Sequence, residues 1–418
     1  MKVFVISNGC LTNNTSNGRA LLSLLKNVEC SDILNFFMNS AGYDESLKMK
    51  SIQVTDGQAL KSFISLGLKK PSGVVSIPQS SESIKDTPKK IQKSAFKMNI
   101  RNMVWNSNFW FSKSLKNQIK EFSPDIVLLQ VGDLPYHYKF ARKISETYSI
   151  PLVIYSTEDY ALKDYDYIKG ISKKTFWFNH LHSKQFKELK KAYSVSKLNV
   201  FNSELLKDET CKYFDVKNAN VFYMGSDLTP VEKHDNDINE IIYAGNLGLG
   251  REDSLIEMAK VLEKSGKKIK YYGVIQTPEI QSKINTAKNI ECCGFVPYEK
   301  LKDIIHNSDL ILHVESFDNY YQKDLRFSFS TKIADSLCSG VPFFMYAPKN
   351  MAGTDYVLSV NNSLVALNRE DMENKLSSIL KGDFKYSPDF NKILENHNAK
   401  KSSEIFYKLM EEIRWKFS

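Results

Sequence analysis

Short apolar runs alternate with longer stretches of helical periodicity along most of the chain. That rhythm predicts an α/β architecture, with parallel strands covered by helices. In the first half the expected strands are 2–7, 32–39, 51–55, 125–130, 152–156 and 198–202, and the helices between them include 18–25, 112–121, 136–147 and 203–213. The rhythm then restarts. Strands are expected at 240–244, 268–273, 290–293, 310–315, 342–346 and 363–366, with helices at 252–264, 278–287, 298–307 and 369–381 and another opening near Thr331. Between residue 315 and that last helix the chain reads as a polar loop. The stretch 228–240 is polar, carries Pro230 and lacks apolar periodicity, which marks a linker.

The expected organisation is a Rossmann-like domain over 1–228, a linker over 229–239, a second Rossmann-like domain over 240–395, and a helix within 396–418 packing back on the first domain. A chain of 418 residues exceeds the roughly 250–300 that one hydrophobic core usually organises, which agrees with two domains. Ligands of such sheets bind at the carboxyl ends of strands, so two facing sheets predict an active site in an interdomain cleft.

No apolar run approaches the roughly 20 residues of a membrane span. The opening MKVFVISNGC reads as a strand and a polar turn rather than a signal peptide, so a cytoplasmic protein is expected. The cysteines Cys10, Cys30, Cys211, Cys292, Cys293 and Cys338 form no C-x-x-C pair and lie near no clustered histidines. Neither a disulfide framework nor a metal or cofactor is expected.

A net charge of +9 suits an anionic partner. The charge is uneven. Lys85, Lys89, Lys90, Lys93, Lys97 and Arg101 precede the aromatic run 104–111, and a second basic-aromatic stretch covers 173–191 through Phe176, Trp177 and Phe178. These are either solvated faces or a patch for the inner face of the plasma membrane, because Lys with Trp and Phe on one helix suits an anionic bilayer. The aromatics fall in no nucleic-acid motif, and no nucleic-acid partner is expected.

Four segments carry candidate chemistry. SFSTKIADSLCSGVP (328–342) places the N-cap residues Ser330 and Thr331 before a short helix that Gly340 and Pro342 end. A helix N-terminus with Lys332 in its first turn suits a phosphate, and Asp335 one turn on suits a ribose diol. YAGNLGLGRE (243–252) is a strand, a glycine turn and a helix start. Gly245, Gly248 and Gly250 let backbone approach an anion, and Arg251 offers a fork for a diphosphate. NNTSNGRALLSLL (13–25) opens a helix after the first strand. There Gly18 either allows close approach to a ligand or belongs to an ordinary start capped by Ser16 or Asn17. PLVIYSTEDYAL (151–162) delivers Glu158 and Asp159 at a strand end, where acids suit acceptor binding or proton transfer. His180 and His182, two apart, do not share a helical face, so a metal site there is not expected.

These segments, in this order, resemble the donor-binding half of GT-B glycosyltransferases, especially glycosyltransferase family 4. The likeness covers 241–348: IIYAGNLGLGR for the first strand and phosphate loop, IECCGFVPYEKL, SDLILHVES, and then SFSTKIADSLCSGVP for the family signature. FNSELLKDE (201–209) and the turn at Gly225, Ser226 and Asp227 resemble segments just before the linker, and the first domain resembles the family mainly around 16–22.

The resemblance implies that Arg251 and Lys332 hold the donor diphosphate with Ser330, Thr331 and the backbone near Gly248. It implies that Asp335 binds ribose, Phe295 and Val296 flank the base, and Gly18 lies near the donor. Glu158 stands where many members carry a histidine, which makes Arg251, Lys332 and Glu158 the implied catalytic set. Asp159, His180 and Glu315 are the further candidates for sugar or acceptor contact. One departure is plain: the first of the family's two acids falls on Phe327. The implied function is metal-independent, retaining transfer of a hexose from a nucleotide-diphosphate sugar, UDP-sugar favoured, to a glycan or lipid-linked acceptor in surface polysaccharide assembly. A degenerate partner of an active transferase and a sugar-nucleotide 2-epimerase are the alternatives.

Overall fold

The computed structural model describes residues 1–13, 15–38, 44–73, 94–231 and 237–416. Lys85, Lys89, Lys90 and Lys93 of the first basic stretch, and part of the polar linker, lie outside the described residues. The chain divides into two compact units, Met1–Phe222 with Lys400–Ser418, and Tyr223–Ala399. The division falls before the polar stretch 228–240. Tyr223 already stacks among Phe329, Tyr356 and His397, and Leu228 is in the second core, so the chain is committed to the second unit by then.

The first unit is built on seven strands, β1 (Val3–Ile6), β2 (Ile33–Phe37), β3 (Lys50–Gln53), β4 (Ile126–Gln130), β5 (Leu152–Ser156), β6 (Leu198–Phe201) and β7 (Ala219–Val221). Their order is β3-β2-β1-β4-β5-β6-β7, and every pair is parallel. Central strands of such a sheet are covered on both faces, which is why VFVI and IVLL are unbroken apolar runs. The last helix, Ala399–Trp415, buries Phe406 and Met410 against Val3, Val5 and Phe222, and Ser403 bonds the Leu24 carbonyl at 2.9 Å.

Three helices of this unit, Asp56–Ile64, Ala95–Asn106 and Phe176–Val195, escaped the periodicity. Asp56–Ile64 opens on a capping box of Thr55 and Gln58, a signal present in the sequence. Ala95–Asn106 buries Met98 and Trp105 but exposes Phe96, Ile100 and Met103, so it has no single apolar stripe to read.

The second unit carries β8 (Ile241–Ala244), β9 (Ile269–Tyr272), β10 (Ile290–Gly294), β11 (Leu310–Val314), β12 (Phe343–Tyr346) and β13 (Val365–Ala366). Their order is β10-β9-β8-β11-β12-β13, again all parallel. Apolar clusters cover both faces of this sheet. The loop expected after β11 contains a helix, Asn319–Leu325, started by the Asp318 carboxylate accepting from the Tyr320 and Tyr321 amides at 2.9 and 3.2 Å.

Each sheet reverses its strand order once, between β1 and β4 in the first unit and between β8 and β11 in the second. At such a reversal the loops leave neighbouring strands in opposite directions and open a crevice at the carboxyl ends. No described helix is long and apolar enough to cross a membrane.

Candidate functional site

The crevice of the second unit gathers its charge from three loops. β8 ends in a turn in which Gly245, Gly248 and Gly250 take φ of +153°, +139° and +76°. Gly250 then caps the helix Arg251–Lys264 in a left-handed conformation, and the crowding of Ser316 and Tyr321 around its α-carbon leaves no room for a side chain. Arg251 is thereby the first helical residue. Its Nε and Nη2 both donate to Glu315 Oε2 at 2.8 Å. The other oxygen, Oε1, lies 3.1 Å from His313 Nε2.

His313 and Glu315 are two apart at the end of β11 and so project to the same side. Both are almost fully buried. Burial alone would raise the Glu315 carboxyl, but Arg251 and His313 outweigh it and hold it down at about 2. Burial lowers the His313 imidazole below its ordinary value although Glu315 pulls the other way.

Lys332 is different. It lies in the first turn of the helix Thr331–Cys338, half-buried, with its chain directly over Gly245: a Cβ there would stand 1.8 Å from Nζ. Its ammonium is 5.9 Å from the Tyr243 ring centre and makes no ion pair or hydrogen bond among the described residues. Burial and then the neighbouring Arg251 push it down to about 8, Glu315 opposing in part. Ser330 is the N-cap but makes no side-chain cap bond, and the Thr331 and Lys332 amides have no partner among the described residues. The buried Tyr243 hydroxyl likewise has none. An ionised carboxylate thus holds one cation in place while a second cation and two amides stay available, an arrangement fitted to an anion.

The fork of Arg251, expected at a diphosphate, is engaged within the chain. The fork holds Glu315, because a guanidinium this buried requires a counter-charge, and only Nη1 remains without a partner among the described residues. Glu315, expected at the sugar, has both oxygens engaged by Arg251 and His313. Removing it as Glu315→Ala leaves Arg251 without that charge. We expect a loss of about 3–5 kcal/mol, read as a fall in the urea midpoint of the second unit.

Asp335 is nearly buried, and its Oδ1 accepts from Ser226 Oγ at 2.7 Å and from Tyr298 OH at 2.9 Å. Phe295 is exposed and Val296 half-buried just past β10. Gly248 is buried in the β8 turn with Gln276 against it. Phe327, where the resemblance looks for an acid, is buried, with the Arg326 guanidinium 4.9 Å from its ring centre.

In the first unit the crevice between β1 and β4 is a polar cavity of about 300 Å³, lined by residues that include Gly18, Gln130, Asp133, Glu158 and Tyr160. Gly18 is required for a local reason: a Cβ would stand 2.2 Å from the Thr12 carbonyl oxygen. Its helix is capped by Thr15, not by Ser16 or Asn17, because Ser16 is already the first helical residue. Glu158 reaches the cavity. Asp159 does not line it and pairs with Lys163 at 3.3 Å, both nearly buried. His180 is exposed on the helix Phe176–Val195, away from the cavity lining. Sequence reading missed His313, Asp133 and Gln130. Only His313 had a signal, its alternation with Glu315 on one strand.

No family model and no curated protein sequence matches the chain. Solved structures do. HepE from Anabaena, crystallised with UDP-glucose, superposes with a TM-score of 0.60 at 10% identity, covering 99% of this chain and 100% of that one. The fold is GT-B. The GT-B likeness extends to an α,α-trehalose-phosphate synthase (UDP-forming) from Burkholderia xenovorans, crystallised with glucose-6-phosphate, at TM-score 0.58 and 9% identity over 98% and 100% of the two chains. A Listeria monocytogenes protein assigned as a UDP-N-acetylglucosamine 2-epimerase follows at 0.50 and 12%, over 96% and 94%. At these identities the likeness is one of fold, and GT-B supports more than one chemistry.

Proposed function

We propose that the chain is a glycosyltransferase that moves a hexose from a nucleotide-diphosphate sugar to a glycan or lipid-linked acceptor. The observation that carries this is Lys332: a half-buried ammonium at the strand-order reversal, without an ion pair among the described residues, beside two unbonded helix amides. A diphosphate leaving group develops negative charge as the glycosidic bond breaks, and fixed positive charge at that point lowers the barrier. Lys332, the first-turn amides at Thr331 and Lys332, and Nη1 of Arg251 supply it. Ser330 and the backbone at Gly248 border the phosphates, Asp335 takes the ribose, and Phe295 with Val296 flanks the base. UDP-sugars are the donors we favour, since HepE was crystallised with one.

Glu158, in the cavity of the first unit with Gly18, binds acceptor hydroxyls. Transfer retains configuration. The acceptor oxygen bonds to the anomeric carbon on the face that the diphosphate oxygen leaves, and the acceptor proton passes to that phosphate oxygen. Surface polysaccharide assembly is the setting this chemistry suits.

The test is incubation with a panel of UDP-sugars and extracted bacterial glycolipids. Acceptor-dependent release of UDP, with a sugar-extended lipid, is the expected result. Interconversion of UDP-sugars without UDP release identifies an epimerase instead, and no thermal stabilisation by any nucleotide sugar contradicts the donor site.

Affinity for UDP is expected to depend on pH in one direction. The ammonium is the binding form, and its pKa in the free protein is depressed to about 8, so the proton is lost as pH rises through that value. Between pH 7 and 9 the dissociation constant measured by calorimetry should rise roughly tenfold, with proton uptake on binding at the higher pH. A flat profile contradicts the role of Lys332.

A further inference from the structure

Three segments of the first unit, 57–73, 94–120 and 167–187, contain lysines and arginine but no acidic residue. The fold packs them together. The helix Asp56–Ile64 contacts Ala95–Asn106, which contacts Phe176–Val195. The Asn99 amide donates to the Trp177 carbonyl at 2.8 Å, and the Phe96 and Trp177 rings meet edge-on at 4.9 Å. The described part of the first basic-aromatic stretch, 94–111, therefore meets the second on one face, joined by a third segment that the sequence reading did not single out.

That face is unusually apolar for a surface. Ile64, Leu66, Leu68 and Phe176 are 72%, 76%, 90% and 76% exposed. Phe96, Ile100 and Met103 are also exposed, at helical spacings that put them on one side. The turn carrying the leucines is ordered: the amides of Leu66, Gly67 and Leu68 bond back to Phe63, Ser62 and Ser65 at 3.1, 2.8 and 3.0 Å. It holds Leu66 at φ +52°, a left-handed conformation that a side-chain-bearing residue seldom adopts. Of the described acids beside it, Asp56 is matched by Arg101 at 2.7 Å and Trp105 Nε1 at 2.8 Å, and Asp166 accepts from Thr175 Oγ1 at 2.6 Å. Glu188, further along the third helix, is matched by Lys191 at 3.0 Å.

Protruding leucines and aromatics among lysines, with the described acids Asp56, Asp166 and Glu188 each already engaged, fit one kind of surface, apolar just beneath a layer of phosphate charge. We infer that this face of the first unit docks on a bilayer rich in anionic phospholipid, with Leu66, Leu68 and Phe176 entering the headgroup boundary and the surrounding lysines on the phosphates. The proposal is independent of the donor-site reading, which concerns the other unit.

Co-sedimentation of the full chain with vesicles tests it. Binding is expected to 1:1 phosphatidylglycerol–phosphatidylcholine vesicles and to fall at 0.5 M salt, with little binding to pure phosphatidylcholine. The double variant Leu66→Asp, Leu68→Asp should lose at least tenfold in partition, with melting temperature and UDP binding unchanged, because both side chains are in solvent. Absence of binding to the anionic vesicles, equal binding to both vesicle types, or undiminished binding by the variant overturns the proposal. A concentration-dependent dimer that the double variant abolishes, without vesicle binding, assigns the face to a second copy of the chain.

Discussion

Replacing Lys332 by methionine is expected to raise the melting temperature of the second unit and to weaken UDP binding by about 10–100-fold. The two effects share a cause. The lysine chain lies over Gly245 with its ammonium half-buried near Arg251, a cation against a cation. Its depressed pKa states that the folded protein resists this charge. The cost is fully present below about pH 8 and is relieved only as pH climbs from there toward the ordinary lysine value. Methionine keeps the chain length and the contact with the Gly245 and Tyr243 surfaces and removes the charge. A gain of about 1 kcal/mol corresponds to roughly 2–4 °C for a unit of this size. The lost binding is that of one charge-assisted hydrogen bond, about 1.5–3 kcal/mol. Calorimetry with UDP and a thermal scan at pH 7 measure both. A residue that served only to hold the fold would lower the melting temperature instead.

Gly245→Ala should remove the same binding by another route. The methyl group would occupy the place of the Lys332 ammonium, 1.8 Å from Nζ and 2.6 Å from Cε. The backbone there sits at φ +153°, where a side chain costs of order 1–3 kcal/mol. The far end of a lysine moves easily, so the fold survives with a modest loss of stability. The ammonium is displaced from the crevice, and UDP binding should fall to the level of Lys332→Met. Combining the two substitutions should weaken binding no further than either alone, because both remove one interaction. Additive losses in that cycle would show that Gly245 acts on the ligand independently of Lys332.

Much of this was legible in the residues. Unbroken runs such as VFVI and IVLL declare central parallel strands, and the glycine turn 245–250 and the helix start at Thr331 stand where their residues put them. What was hidden is pairing at long range. Arg251 and Glu315 are 64 positions apart, and nothing local says that the guanidinium is spoken for. Asp335 meets Ser226 across 109 positions for the same reason. The division of the units was also hidden. Polarity points to 228–240, whereas Tyr223 is captured earlier by a ring cluster assembled from Phe329, Tyr356 and His397. Ala95–Asn106 was missed because its apolar residues serve two purposes, a core on one side and an exposed face on the other.

A crystal structure of the chain with UDP bound decides the central claim most directly. The β-phosphate should lie within hydrogen-bond distance of Lys332 Nζ and of the Thr331 or Lys332 amide, with Arg251 still on Glu315. A diphosphate bound elsewhere, or a Lys332 ammonium left unengaged beside it, contradicts the assignment of this crevice as the donor site.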